Sequence, residues 1–410
     1  MPTVSLRRVV ITGMGAISPL GVGAEALWQG LREGRSGIGP LRHPDAERLR
    51  VKIAAQVPAG FDPAANIDER ILPMLDRTSE FALHAAREAI TQSGLDFRQN
   101  ELGVRTAVVV GTGVGGETTQ DEQSKRLYGE NSQRAHPLTI VRLMTNASAS
   151  QISIAYGLRG PTYAVASACA SANHAIIQAT MMIRYGMADA AITGGTEACI
   201  TYGALRAWEA MRVLADDTCR PFSANRRGLV LGEGAGIFVL ESLEHAQARG
   251  ATILAELAGS GMTADATDIV MPSADGAASA MRQALADAGL TPQDVDYINA
   301  HGTGTLANDA TETKAIRLAF GAHADRLAVS STKSMHGHAL GASGALELVA
   351  VVGALRDSVV PPTANLDKTD PACDLDYVPN VARPMPVRAA LSNSFAFGGL
   401  NAVLALKRAP

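Results

Sequence analysis

Residues 165–186 read VASACASANHAIIQATMMIRYG, and residues 329–355 read VSSTKSMHGHALGASGALELVAVVGAL. Each stretch begins as a short apolar strand, passes through small polar residues, and continues as an apolar helix rich in Ala and Gly. The likeness is one of plan rather than of residues, and it predicts a duplicated architecture.

Outward from these two stretches the same alternation continues. VVITG, AVVVGTG, AAITGG, GIFVLE, DYINAHG and AVLALKR read as strands, separated by helix-patterned segments such as RTSEFALHAAREAITQSG. Continuous apolar strands between helices predict α/β layers with sheets buried on both faces. No Pro/Ser linker interrupts the chain, and the segment after ESLEHAQARGATILAELAG marks the crossing between halves. The expected domains are therefore 1–255 and 256–410.

The 410 residues, 47% of them hydrophobic, suffice for two units with buried cores. A net charge of −4 offers no global field for nucleic acid or an anionic membrane, so an acidic partner has to dock on a local arginine cluster. MPTVSLRR runs directly into VVITGMG without the form of a signal peptide, and no apolar run reaches the ~18 residues of a membrane span. A cytoplasmic location without membrane insertion is expected. The four cysteines, Cys169, Cys199, Cys219 and Cys373, have neither zinc nor redox-pair spacing, which fits a reducing compartment.

Cys169 stands where the strand TYAVAS stops and a helix begins, so it should feel the positive end of the helix dipole, which favours thiolate. Taken alone, that position suits a buried structural cysteine as well as a nucleophile. His301 follows the strand VDYINA and precedes Gly-Thr-Gly-Thr, and strand ends of this kind carry catalytic groups in α/β enzymes. His336 and His338 share a metal-like His-x-His spacing, but no carboxylate or cysteine accompanies them at ligand spacing. Proton and charge handling is the preferred reading, with no metal. Gly111, Gly113 and Gly116 fall in G-x-G-x-x-G spacing, yet the polar GETTQDEQSKRLYG that follows does not form the packed helix a dinucleotide site requires.

RRVVITGMGAISPLG, ASAC, RPFSANRRGLVLGEGAG, AHGTGT, SSTKSMHGHALGASGALE and NSFAFGG, in this order, resemble the β-ketoacyl-acyl carrier protein synthase II family of the thiolase superfamily over essentially the whole chain. In its short strings the chain looks closer to the nodulation protein E and polyene ketosynthase branch. The resemblance implies a duplicated thiolase fold of five αβαβα layers, built as a dimer. It implies that Cys169 accepts an acyl group from a carrier protein and that an enolate from malonyl-carrier protein attacks it, with His301 and His338 stabilising the enolate. Lys333 and Glu347 match positions that organise the second histidine. The backbone N–H groups of Cys169 and Phe397 match the second oxyanion site, with Phe397 also gating the acyl pocket.

Thr303 and Thr305 match positions that bind the pantetheine arm, Val114 and Phe395 further substrate-binding positions, and Arg212 a carrier-docking position. His336 is assigned no catalytic role. Glu117 and Ala396 stand where the pocket that selects chain length could change. The implied partners are an acyl carrier protein and either a second copy or a homologous chain-length factor, in fatty acid or type II polyketide synthesis. No cofactor is implied, because the phosphopantetheine belongs to the carrier. Two alternatives stay open: a non-catalytic partner of the chain-length-factor kind, and a thiolase acting on coenzyme A esters, which would use a second cysteine where NSFAFGG has none.

Overall fold

A computed structural model describes residues 6–410. Ten strands form the path of one long sheet. In the first half they are β1 (Val9–Ser18), β2 (Thr106–Gly111), β3 (Thr162–Val165), β4 (Ala190–Glu197) and β5 (Gly234–Ser242). In the second they are β6 (Ala255–Ala264), β7 (Tyr297–Asn299), β8 (Ala328–Ser330), β9 (Ala389–Ala396) and β10 (Leu400–Arg408). An eleventh, two-residue strand at Gly21–Val22 pairs only with β1.

Spatial order reveals the duplication. The first half runs β3-β2-β4-β5-β1 and the second β8-β7-β9-β10-β6, one topology used twice. The directions repeat as well: the three outer strands of each half are parallel, and the last two pairings are antiparallel. The halves join through three residue pairs between Val9–Ile11 and Ala255–Leu257.

Helices fill the layers in the same repeated order. Those considered below are α1 (Arg77–Ser93), α2 (Ala147–Tyr156), α3 (Ser171–Arg184), α4 (Tyr202–Met211), α5 (Ala274–Asp287), α6 (Leu306–Phe320) and α7 (Ser343–Asp357). Helices α3 and α7 pack on each other and on strands of both halves, forming the middle layer. Helices α1 and α2 cover the outer face of one half, and α5 with α6 that of the other. The result is the five-layer αβαβα arrangement of the thiolase fold. Position explains composition: α7 is buried from Ser343 to Leu355 and is apolar nearly all round, whereas α1 buries one face and shows the other to water. Among the described residues no helix is long and apolar enough to cross a membrane.

Close helix-on-sheet contact depends on glycine. A Cβ at Gly13 of β1 would stand 2.0 Å from the Ala89 carbonyl oxygen of α1, and one at Gly15 would stand 2.1 Å from that of Ala85. Both obstacles are backbone and cannot swing aside. Gly13→Ala is therefore expected to lower stability by about 2 kcal/mol or more, read as a fall in the urea midpoint. Gly39→Ala is the control, because nothing lies within 4 Å of its added carbon.

Candidate active site

The turn that presents Cys169 is built twice. Ala168–Ala170 and Leu340–Ala342 are short 3₁₀ turns leading directly into α3 and α7. Their first residues, Ala168 and Leu340, are both in the left-handed region, with φ of 48° and 41°. For a residue with a Cβ this conformation costs on the order of 1–2 kcal/mol. In the first copy Ser171 offsets part of that cost, since its hydroxyl donates to Ala168 O at 2.7 Å and accepts Ser167 N–H at 2.8 Å. Cys169 thus occupies the position that Gly341 takes in the second copy.

The second half brings the histidines to this sulfur. His338 Nε2 lies 3.0 Å from Cys169 Sγ, and the His301 and His338 rings meet edge to face with centroids 5.5 Å apart. Lys333, wholly buried, holds the first histidine rather than the second: its ammonium pairs with Glu347, donates to His301 O at 2.7 Å and lies 3.4 Å from His301 Nδ1. An ammonium has only hydrogens to give, so Nδ1 of His301 accepts and its ring hydrogen lies on Nε2. The far nitrogen of His338, Nδ1, meets the Ser343 hydroxyl at 2.8 Å.

Burial governs the protonation states. It holds both histidines well below the usual imidazole range, with Lys333 adding to the effect, so both rings are neutral. It also pushes the Cys169 thiol up to about 12, although Lys333 pulls the other way. This corrects the expectation of a thiolate drawn from the helix start: desolvation outweighs the favourable charges, and the resting sulfur keeps its proton.

A cavity of about 110 Å³ opens over these groups. Cys169, His301, His338, Thr303, Thr305, Phe395 and Phe397 all line it. Thr303 and Thr305 share a hydrogen bond of 2.9 Å, and Thr305 also caps α6 by accepting Asn308 N–H. The Phe397 ring stacks on Trp208 of α4 at 6.0 Å, and its N–H has no hydrogen-bond partner among the described residues. Arg212 is exposed at the C-terminal end of α4, one turn beyond Trp208. Val114 is not part of the lining, and its N–H lies 3.3 Å from Glu197. His336 is buried with its Nε2 on the Thr332 hydroxyl, outside the cavity.

Two carboxylates that the sequence reading missed hold the site's backbone. Glu197, at the end of β4, accepts Gly113 N–H at 2.6 Å, Gly341 N–H at 2.8 Å and the Thr112 hydroxyl at 2.9 Å. The Gly113 and Val114 N–H groups are thereby committed to a side chain and Gly116 N–H to Leu143 O, while the other two glycines answer close packing: a Cβ at Gly111 would stand 2.4 Å from Ser171 C and one at Gly116 2.4 Å from Arg142 O. Glu312, on α6, accepts the N–H groups of His301 and Gly302 at 2.8 Å each. Burial raises both carboxyls to about 7. The partners of each are mostly backbone N–H groups, and no sequence pattern marks it.

A model described as "Beta-ketoacyl synthase, N-terminal domain" matches residues 6–246, and its C-terminal counterpart matches 254–367. The chain is 52% identical to nodulation protein E of Rhizobium sp. strain N33, over 98% of this chain and 99% of the relative. It is 44% identical to 3-oxoacyl-[acyl-carrier-protein] synthase 2 of Coxiella burnetii, with the same coverage. Among solved structures, the ishigamide ketosynthase/chain length factor aligns with a TM-score of 0.94 at 38% identity, covering 99% of this chain and all of that one.

The raised carboxyls have a measurable sign. A folded pKa near 7 against 4.5 for Glu197 means that its contribution to stability is full below about 4.5 and lost as pH rises through 7. Across that window the wild type should lose up to about 1.4 kcal/mol per pH unit relative to Glu197→Gln. Urea unfolding of both proteins at pH 5, 6, 7 and 8 checks this, and parallel curves would contradict it.

Proposed function

The chain belongs to the β-ketoacyl synthase family, and from that premise we propose a decarboxylative condensation in which Cys169 carries the growing acyl chain and His301 and His338 stabilise the enolate. The observation that carries this reading is the contact of 3.0 Å between Cys169 Sγ and His338 Nε2 at a helix start, with His301 alongside and Lys333 behind. In the first half-reaction the sulfur attacks an acyl thioester, the carbonyl carbon moves from the pantetheine sulfur to Cys169, and the thiol proton ends on the departing pantetheine thiol. An N–H on His338 Nε2 favours the thiolate that burial otherwise disfavours.

In the second half-reaction malonyl thioester loses CO₂, and the electron pair of the broken C–C bond becomes an enolate. Neutral rings presenting Nε2–H are suited to the charge that develops on the thioester oxygen. The enolate carbon then attacks the Cys169 thioester, and the backbone N–H groups of Cys169 and Phe397 are the donors for its oxygen. No cofactor enters this chemistry. The donor atoms of Cys169, His301 and His338 do lie within 4.8 Å of one another, but the Lys333 ammonium beside them and the lack of a carboxylate in the set disfavour a metal dication.

The acyl donor in this reading is an acyl carrier protein, as the name of the Coxiella relative suggests, with Arg212, exposed at the end of the helix that carries Trp208, as a docking residue. The edge strand β3 is half-buried along its length and Ile154 is exposed on the helix packed against it, which supports pairing with a second chain. That chain is a second copy or, as in the ishigamide structure, a homologous chain-length factor. We place the reaction in the cytoplasm. The assembled Cys169, His301, His338 and Lys333 argue against a scaffold subunit. Cys199, Cys219 and Cys373 lie outside the cavity lining, which argues against a thiolase needing a second active cysteine.

Incubation with an acyl-carrier protein should add one acyl mass to the wild-type chain and none to Cys169→Ala. His338→Ala is expected to keep measurable acyl loading while malonyl decarboxylation falls by about 10²–10³. Full elongation by Cys169→Ala would overturn the mechanism.

A further inference from the structure

We propose that Ser343 is a positioning residue that holds His338 with its ring hydrogen on Nε2, where the reaction needs a donor. The proposal rests on the ketosynthase reading above and adds a residue to it. Ser343 is the first residue of α7, wholly buried, with Oγ 2.8 Å from His338 Nδ1. No other hydrogen-bond partner of that nitrogen occurs among the described residues.

The duplicated turn supplies the comparison. Ser171, at the equivalent position of the first half, spends its hydroxyl on its own turn, donating to Ala168 O and accepting Ser167 N–H. Ser343 makes neither bond, and its hydroxyl is turned to the histidine instead. One backbone motif thus carries a serine that stabilises a turn in one copy and orients a catalytic ring in the other.

The sense of the hydrogen bond follows from the other end of the ring. Nε2 faces the sulfur at 3.0 Å, and once the sulfur has lost its proton it can only accept. Burial and Lys333 keep the ring neutral, so it carries one hydrogen. A neutral ring that donates from Nε2 must accept at Nδ1, and the Ser343 O–H is the donor there. His301 reaches the same state through the Lys333 ammonium. The two rings are therefore held alike by unlike partners, a cation for one and a neutral hydroxyl for the other. Held at both nitrogens, the His338 ring also has a fixed plane, the service that outer partners give to working histidines.

Full-length wild type, Ser343→Ala and Ser343→Thr test this through two readouts: iodoacetamide alkylation of Cys169 from pH 7 to 10, and kcat and KM for malonyl-carrier decarboxylation. The titratable groups bearing on Cys169 are Lys333, Glu197 and Glu347, and those bearing on His338 are Lys333 and His336, the last held neutral by burial; all are untouched by these substitutions. Ser343→Ala should slow alkylation at each pH several-fold, by about the loss of one donor to the thiolate, and should lower kcat by about 10–100-fold at nearly constant KM. Ser343→Thr, which keeps the hydroxyl, should retain most of both. Wild-type values in Ser343→Ala would overturn the proposal, as would a threonine variant as impaired as the alanine one. If the ketosynthase reading itself failed, the wild type would decarboxylate nothing, while the alkylation comparison would still decide the role of Ser343.

Discussion

A lysine ammonium with no access to water sits at the centre of this molecule, and the arrangement around it depends on its being neutralised. Lys333 pairs with Glu347 on α7 and donates to the His301 carbonyl. Breaking such a buried pair by removing one partner typically costs 3–5 kcal/mol, so the two residues fix the distance between the Lys333 turn, α7 and the end of β7. The same charge adds to the burial that keeps both histidines neutral, and it sets the ring hydrogen of His301. One cation thereby serves both the packing and the charge state of the site.

The duplicated frame explains how distant segments reach one another. Cys169 comes from the turn before α3, His338 from the turn before α7, and these helices are neighbours in the middle layer. His301 follows β7, whose counterpart β2 leads into the glycine turn. Each loop is then pinned by a buried carboxylate, Glu312 under His301 and Glu197 under the glycine turn and Gly341. Backbone N–H groups that would need water are satisfied internally, which gives the site rigid walls without further charged pairs.

Much of this was legible beforehand. The strand-to-helix passages around Cys169 and His338 and the strand end at His301 are local patterns, and local patterns survive in sequence. So did the duplication, through the shared plan of residues 165–186 and 329–355. What escaped was relational. Glu197 and Glu312 bind main-chain atoms 84 and 11 residues away, and main-chain partners leave no trace in residue identity. The state of Cys169 was misjudged because a helix start is visible in a sequence whereas the depth of burial around it is not. Ser343 reads as one more small residue in GASG until the fold places His338 above it.

The glycine opposite the nucleophile has a consequence for stoichiometry. A side chain at Gly341 would collide with Gly113 N at 2.2 Å, so the second copy of the turn is closed to any reactive group. A symmetric frame therefore holds a single covalent load per chain. The frame is doubled but its storage is not: a reactant for the group held on Cys169 finds no second anchor at the equivalent turn and has to enter unattached.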